Sequence, residues 1–251
     1  MAGNYTKLLN NLDELKLSMF RENLDSYIDM SNEGKSFTDC LYELSCLETD
    51  YRKARAVNMR IQFAGFPFYK TIEDFDFAFQ PSLNKEKILD LLSLRFIENK
   101  ENILFIGTPG VGKTHLATSI GIEAARSRVK TYFINCNDLV LQLKRAHLEN
   151  RLERKLKDLK KYSLLIIDEV GFLPLDTEAS KLLSQLISSR YEKASTIITT
   201  NKALSTWGDV FGDNVLANAI LDRLVHHSQI ITINGKSYRT KDKVEAMSEK
   251  K

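Results

Sequence analysis

Gly107-Thr108-Pro109-Gly110-Val111-Gly112-Lys113-Thr114 decides how this chain is read. It fits G-x-x-x-x-G-K-[ST], a loop whose backbone N–H groups cradle the phosphates of a nucleotide. The apolar run Ile103-Leu104-Phe105-Ile106 precedes it and predicts a buried strand; a helical pattern from Lys113 to Ala125 follows. The loop is therefore expected as a strand-to-helix turn, with amide groups and a helix N-terminus facing an anion. Gly107, Gly110 and Gly112 let the backbone curl close to phosphate. Lys113 is placed to reach the β- and γ-phosphates, and the Thr114 hydroxyl to ligate Mg²⁺.

A second stretch makes hydrolysis of the nucleotide the leading reading. Leu164-Leu165-Ile166-Ile167-Asp168-Glu169 is an apolar run that ends in two carboxylates. Such runs are strands buried on both faces, as in parallel sheets. Asp168 at the strand end is a candidate Mg²⁺ ligand, and Glu169 a candidate base for an attacking water. An acidic pair capping the next helix is the plainer alternative; the phosphate loop upstream favours the catalytic one.

The remaining strand candidates are 130–135, 196–200 and 230–233, alternating with helical patterns from Asn84 onward. This alternation predicts a mostly parallel sheet with helices on both faces, binding ligands beyond the strand C-termini. Residues 5–62 predict helices only, in two stretches separated by Asn32-Glu33-Gly34. The expected organisation is a helical N-terminal domain (1–62), a linker (63–83) containing Phe66-Pro67 and Pro81, and an α/β domain (84–251). Among 251 residues, 43% are hydrophobic and 27% charged, ordinary for a soluble globular protein. No apolar stretch approaches membrane-spanning length, Met1 to Lys7 carries no apolar signal core, and Cys40, Cys46 and Cys136 follow no metal-ligand spacing. A cytoplasmic protein with reduced thiols and no membrane partner is expected.

Two further polar elements stand at strand ends or beside them. Asn201, after Thr199-Thr200, is placed to bond a γ-phosphate oxygen or the water, or to close an ordinary turn. Arg223, in Asp222-Arg223-Leu224, is either a structural charge or an arginine finger supplied to a neighbouring subunit. His226 and His227 have no metal-type partners in sequence and read as structural.

Taken in order, Gly107 to Ala117 (through His115), Leu164 to Glu169 and Thr199-Thr200-Asn201 resemble the AAA+ ATPases, within their initiator and helicase-loader branch. The likeness is strongest to IstB-type ATPases, encoded beside the transposase in one group of bacterial insertion sequences. It extends through Thr71-Ile72-Glu73-Asp74-Phe75-Asp76-Phe77 to Ser237-Tyr238-Arg239, which also closes the DnaC-type loaders. The resemblance implies ATP and Mg²⁺ as cofactors. It makes Lys113 and Thr114 the Walker A pair, Asp168 and Glu169 the Walker B pair, Asn201 sensor 1, Arg223 the arginine finger and Arg239 a sensor-2-like arginine. It implies a five-stranded parallel sheet and an extra helix after the second strand, over Asn137 to Lys161. Barely a dozen residues follow Arg239, so the C-terminal helical lid of the wider family is not expected, which leaves the role of Arg239 the least defined.

Residues 144–161 hold eight bases (Lys144, Arg145, Arg151, Arg154, Lys155, Lys157, Lys160, Lys161) against three acids. Alone, such a run is a solvated helix face. With the resemblance it implies contact with double-stranded DNA through phosphates. Tyr51-Arg52-Lys53-Ala54-Arg55 with Arg60 is a shorter second cluster. Four functions follow for comparison. The first is an ATP-dependent homo-oligomer that holds target DNA for a partner transposase. The second is a DnaC-like helicase loader; the N-terminal region carries no Cys/His zinc cluster of the kind some loaders have. The third is a small-molecule phosphotransferase, disfavoured by the Asp168-Glu169, Asn201 and Arg223 set. The fourth is a nucleotide-gated binding module with negligible turnover, which phosphate release with and without DNA separates from the first.

Overall fold

The computed structural model describes residues 2–240. Two compact units divide the chain, Met1–Met59 and Arg60–Lys251.

The first unit is helical: α1 (Ala2–Glu14), α2 (Ser18–Asn32) and the part of α3 (Phe37–Phe63) up to Met59. The sequence predicts one helical stretch across residues 8–20, and the structure breaks it at Lys16, which takes a left-handed φ of 55°. Neither Gly nor Pro marks the break. The turn is closed by Leu17 N–H donating to Leu12 O, with Leu12 buried beneath it. Leu17 offers no side-chain cap to α2, and Glu48 of α3 supplies one. Its buried carboxylate accepts from Met19 N at 2.8 Å and from Arg52 Nε at 2.8 Å, while Arg52 Nη2 donates to Lys16 O at 2.9 Å. Burial pushes the Glu48 carboxyl up, but the Arg52 and Met19 bonds outweigh it and hold it below the usual range. Arg52, the centre of the shorter basic cluster, is thus a clasp between helices.

The second unit carries α4 (Lys85–Leu91), α5 (Arg95–Glu98), β1 (Asn102–Gly107), α6 (Lys113–Arg126), β2 (Thr131–Asn135), α7 (Cys136–Leu148), α8 (Leu152–Lys160), β3 (Leu164–Val170), α9 (Thr177–Arg190), β4 (Ser195–Thr200), α10 (Trp207–Phe211), α11 (Asn214–Val225) and β5 (Ser228–Ile233). The five strands form one parallel sheet in the order β2-β3-β4-β1-β5. Successive residues of β3 show why its sequence is apolar throughout. Leu164 and Ile166 point into a core shared with Ile103, Phe105, Leu116 and Ile120, while Leu165 and Ile167 point into a second core with Leu143, Leu183, Leu186 and Trp207. One core lies under α6 and the other under α7, α9 and α11, so β3, between β2 and β4, is fixed by packing on two faces, while the edge strand β5 buries only Ile231 and Ile233.

The expected single extra helix over 137–161 is two helices, α7 and α8, parted where Asn150 adopts φ 54°. Residues 63–83, expected as a linker, fall within the second unit. Phe66 packs on the α6 core, Phe133 N–H donates to Ala64 O at 2.7 Å, and Gln80 Nε2 donates to Lys236 O at 3.0 Å.

Candidate nucleotide site

The loop Gly107–Thr114 joins β1 to α6. Gly110 and Gly112 take left-handed φ values of 84° and 100°. A Cβ on Gly112 would sit 2.5 Å from Phe75, and one on Gly107 would strike the Ile233 carbonyl, so the cradle is closed to larger residues. Lys113 Nζ donates to Gly107 O and Thr108 O, both at 2.8 Å. Burial lowers the pKa of the Lys113 ammonium, with Asp168 and Glu169 opposing that shift.

Asp168 ends the regular part of β3 beside the loop. The Thr114 hydroxyl lies 3.0 and 3.1 Å from its two carboxylate oxygens, and Thr199 Oγ1 donates to Oδ1 at 2.5 Å. Burial raises the Asp168 carboxyl above its usual range, against the two hydroxyls and Lys113. Glu169 takes φ 62°, its N–H donates to Thr199 Oγ1 at 2.9 Å, and its Oε2 accepts from Asn135 Nδ2 at 2.9 Å. Asn135 also caps α7, accepting from Asn137 N at 3.0 Å. The Asn201 Oδ1 is buried with no protein partner.

Of these groups Lys113, Thr114, Glu169, Thr199 and Asn201 border a cavity of about 310 Å³; Gly107, Thr108, Asn135 and Asp168 are not among its lining residues. Pro109 to His115, Glu169, Asn201 and Arg239 line it, as does a wall the sequence did not announce: Phe68, Lys70, Asp74, Phe75, Asp76 and Gln80. Tyr238 N–H donates to Gly110 O at 2.9 Å and brings Arg239 to the rim. His115 is fixed to the wall: Nε2 lies 2.9 Å from Thr71 O, its ring meets Phe68 and Phe75 edge-on, and burial holds its pKa down. The donor set suits a nucleoside triphosphate with a hard cation. Thr114 and Asp168 offer oxygen ligands at one point, glycines line the phosphate side, and an unpaired amide oxygen awaits a donor.

Sequence reasoning did not single out Asn135 or Thr199. The signal for Asn135 was its place: it closes β2 in register with Asp168, the last residue of β3 before its bulge. Arg223 is not among the cavity residues; it lies in the last turn of α11 and donates to Ala219 O at 2.7 Å. His226 and His227 do find an acidic neighbour. Glu192, His226 and His227 bring ligand-type atoms within 4.8 Å of one another on the surface.

The basic stretch is surface-exposed but partly engaged. Lys144 pairs with Asp176, Arg145 and Arg151 with Glu149, and Lys155 donates to Gln142 Oε1 at 2.6 Å, while Arg154 is exposed.

The sequence model of IstB-like ATP-binding proteins matches residues 10–246. The chain belongs to this IstB-like family. A family relative named as the ATP-binding protein of insertion sequence IS232, from Bacillus thuringiensis subsp. berliner, is 52% identical over 96% of this chain and 97% of its own. The corresponding IS21 protein of Pseudomonas aeruginosa is 40% identical over 95% and 92%. Among solved structures, DnaI aligns with a TM-score of 0.55 over 65% of this chain and 90% of its own, at 22% identity. AMPPCP-bound DnaA from Aquifex aeolicus aligns at 0.58 over 74% and 56%, at 19% identity. At such identities these likenesses establish the fold alone, an AAA+ P-loop α/β architecture. The chain thus combines membership of the IstB-like family of ATP-binding proteins with an AAA+-like P-loop α/β fold. No helix among its described residues is long and apolar enough to cross a membrane.

Proposed function

We propose that this protein binds ATP with Mg²⁺ and hydrolyses it, assembles as a homo-oligomer on double-stranded DNA, and presents that DNA to a partner transposase in the cytoplasm. The observation that carries the catalytic half is the convergence of Lys113, Thr114, Glu169 and Asn201 on one cavity, with the Asp168 carboxylate held against Thr114. In this reading Lys113 leaves the Gly107 and Thr108 carbonyls for phosphate oxygens. Thr114 and Asp168 hold Mg²⁺, which when bound neutralises phosphate charge. Glu169 accepts the proton of the attacking water at a carboxylate oxygen, and Asn201 orients that water. Asn135 holds Glu169 from the side and so sets where its carboxylate rests.

Arg223 lies off the cavity of its own chain, which suits a charge delivered to a neighbouring subunit's nucleotide. Arg145, Arg151 and Arg154 with Lys144 and Lys155 supply phosphate contacts on α7 and α8, and the insertion-sequence relatives favour transposition over helicase loading. Phosphate release measured with and without duplex tests the reading. Duplex should stimulate turnover, and Glu169→Gln should keep ATP binding while losing hydrolysis. Near-normal turnover in that variant removes Glu169 from its role; stimulation by single strands only selects the helicase-loader alternative.

A further inference from the structure

We infer that Thr199 is a positioning residue of the ATPase reaction, a single hydroxyl that sets both acidic side chains at the end of β3. The inference rests on the hydrolytic reading above and adds to it the residue that gives Asp168 and Glu169 their separate orientations.

The ladder between β3 and β4 carries the argument. Ile167 pairs with Ile198, and the next pairing is Val170 with Thr200. Two residues, Asp168 and Glu169, therefore face one residue, Thr199. This is a β-bulge, which re-aims side chains and leaves a backbone group outside the ladder. Glu169 shows the cost, with φ at 62°. A non-glycine residue holds that conformation only where its surroundings fix it. The group left over is the Glu169 N–H, and it donates to Thr199 Oγ1 at 2.9 Å. The same oxygen spends its proton on Asp168 Oδ1 at 2.5 Å. Both capacities of one fully buried hydroxyl go to the two acids opposite it.

A threonine serving only the sheet has no need of this pairing. Thr200, its neighbour, uses its hydroxyl to accept from Lys202 N at 3.1 Å and closes the turn after β4. Thr118, also buried, leaves its hydroxyl unpaired. Thr199 differs because its oxygen bridges a side chain and a main-chain group on consecutive residues. The consequence for Asp168 is specific. Thr114 and Thr199 both contact its carboxylate. Were Thr114 and Asp168 to hold Mg²⁺, Thr199 would be the hydroxyl still bonded to the Asp168 carboxylate, at Oδ1. The consequence for Glu169 is directional. Without the hydroxyl its part-buried N–H loses its partner, and relaxing the bulge toward regular pairing turns successive side chains to opposite faces. The carboxylate would leave the cavity it now lines.

The test compares Thr199→Ser with Thr199→Ala, which differ by the hydroxyl alone, and adds Thr199→Val, which keeps the shape of threonine. Three readouts are taken on the full chain: steady-state ATPase, affinity for fluorescent ADP, and Mn²⁺ binding to the ADP complex by electron paramagnetic resonance. Thermal melts of all variants supply the fold control. Thr199→Ala and Thr199→Val should lose at least about tenfold in kcat and about tenfold in Mn²⁺ affinity, the scale of one hydrogen bond to a charged group. KM and ADP affinity should stay within about threefold, and Thr199→Ser should restore kcat and Mn²⁺ binding. If Val misfolds, the Ser and Ala pair decides alone. Equal kcat and equal Mn²⁺ affinity in Ser and Ala overturn the assignment, as does a Ser variant as impaired as Ala. A parent protein with no phosphate release at all would sink the ATPase reading instead, and the Mn²⁺ comparison would still judge Thr199.

Discussion

Arg190 offers a prediction whose size can be worked from the structure. It ends α9 and is 2% exposed. Its guanidinium makes four hydrogen bonds, to Thr196 Oγ1 at 3.2 Å, to Leu159 O and Tyr162 O at 2.9 Å each, and to Ser195 O at 2.7 Å. All four partners are neutral oxygens. Burial lowers its pKa from the ordinary guanidinium range to about 10. That shift means the folded state disfavours the charge by about 3 kcal/mol at neutral pH. Linkage gives the sign: from about pH 10 up to the ordinary guanidinium range the unfolded chain binds more protons, so this group's penalty is present in full at pH 7 and is relieved only as pH rises through that window. Against it stand four hydrogen bonds from a cation, each worth about 1.5–3 kcal/mol. The bonds win. Replacing Arg190 by Met recovers the desolvation cost but orphans three buried carbonyls, and we expect a net loss of about 3–5 kcal/mol. The chain's single tryptophan, Trp207, is fully buried in the core beneath α9 and reports on this unit alone. Urea titration followed by its fluorescence should show the midpoint falling by more than about 1 M, taking a slope of about 2–3 kcal/mol per M. A fall below about 0.3 M would refute the reasoning and mean that water or rearrangement replaces the guanidinium at little cost. Because Leu159 lies at the end of α8, the variant should also lose duplex affinity.

Other consequences can be checked directly. Asn135→Ala frees the Glu169 carboxylate and uncaps α7, so basal ATPase should change severalfold while the dependence of turnover on duplex weakens; an unchanged ratio of DNA-stimulated to basal rate removes Asn135 from the coupling. Lys113→Ala should abolish nucleotide binding, since the cradle loses its ammonium, and retained binding of labelled ATP would contradict that. Mixing Arg223→Ala with Lys113→Ala subunits should restore part of the activity neither has alone, because one interface is then intact; no rescue with oligomers still formed makes Arg223 structural. Reversing charge at Arg151, Arg154 and Lys155 should weaken duplex binding across all sequences and flatten the salt slope by about 0.9 for each phosphate no longer neutralised. An unchanged slope in fluorescence anisotropy titrations moves the DNA surface elsewhere.

The parts of this molecule that could be read from sequence are those whose physics is local. Ile103 to Thr114 announces strand, loop and helix because a buried strand, a glycine turn and a helix start each leave a contiguous pattern. Leu164 to Glu169 does the same. What escaped depends on distant residues. Lys16 breaks a helix through a turn whose favourable term is the burial of Leu12 and a cap from Glu48, far along the chain, and no glycine signals it. Residues 68–80 look like a connector because their partners lie at 110–115 and 236–238. Asn135 reads as an ordinary strand-end amide until Glu169 is placed beside it. The enclosure of Arg190 has no local signal, because its partners come from Leu159, Tyr162, Ser195 and Thr196 and composition carries no information on which arginine is enclosed.

The cavity draws its walls from both ends of the unit's sequence. Gln80 reaches Lys236, Ser82 reaches Asn234, and Tyr238 is fastened to Gly110. During synthesis, therefore, the Gly107–Thr114 loop and Asp168 emerge long before the residues that close the chamber over them. A chain interrupted between Arg223 and Tyr238 would carry the Gly107–Thr114 loop, Asp168, Glu169 and Asn201 and yet lack a finished chamber. On the function proposed above, a chain that stops short of Tyr238 and Arg239 should therefore retain ATP poorly, because that wall of the cavity is missing.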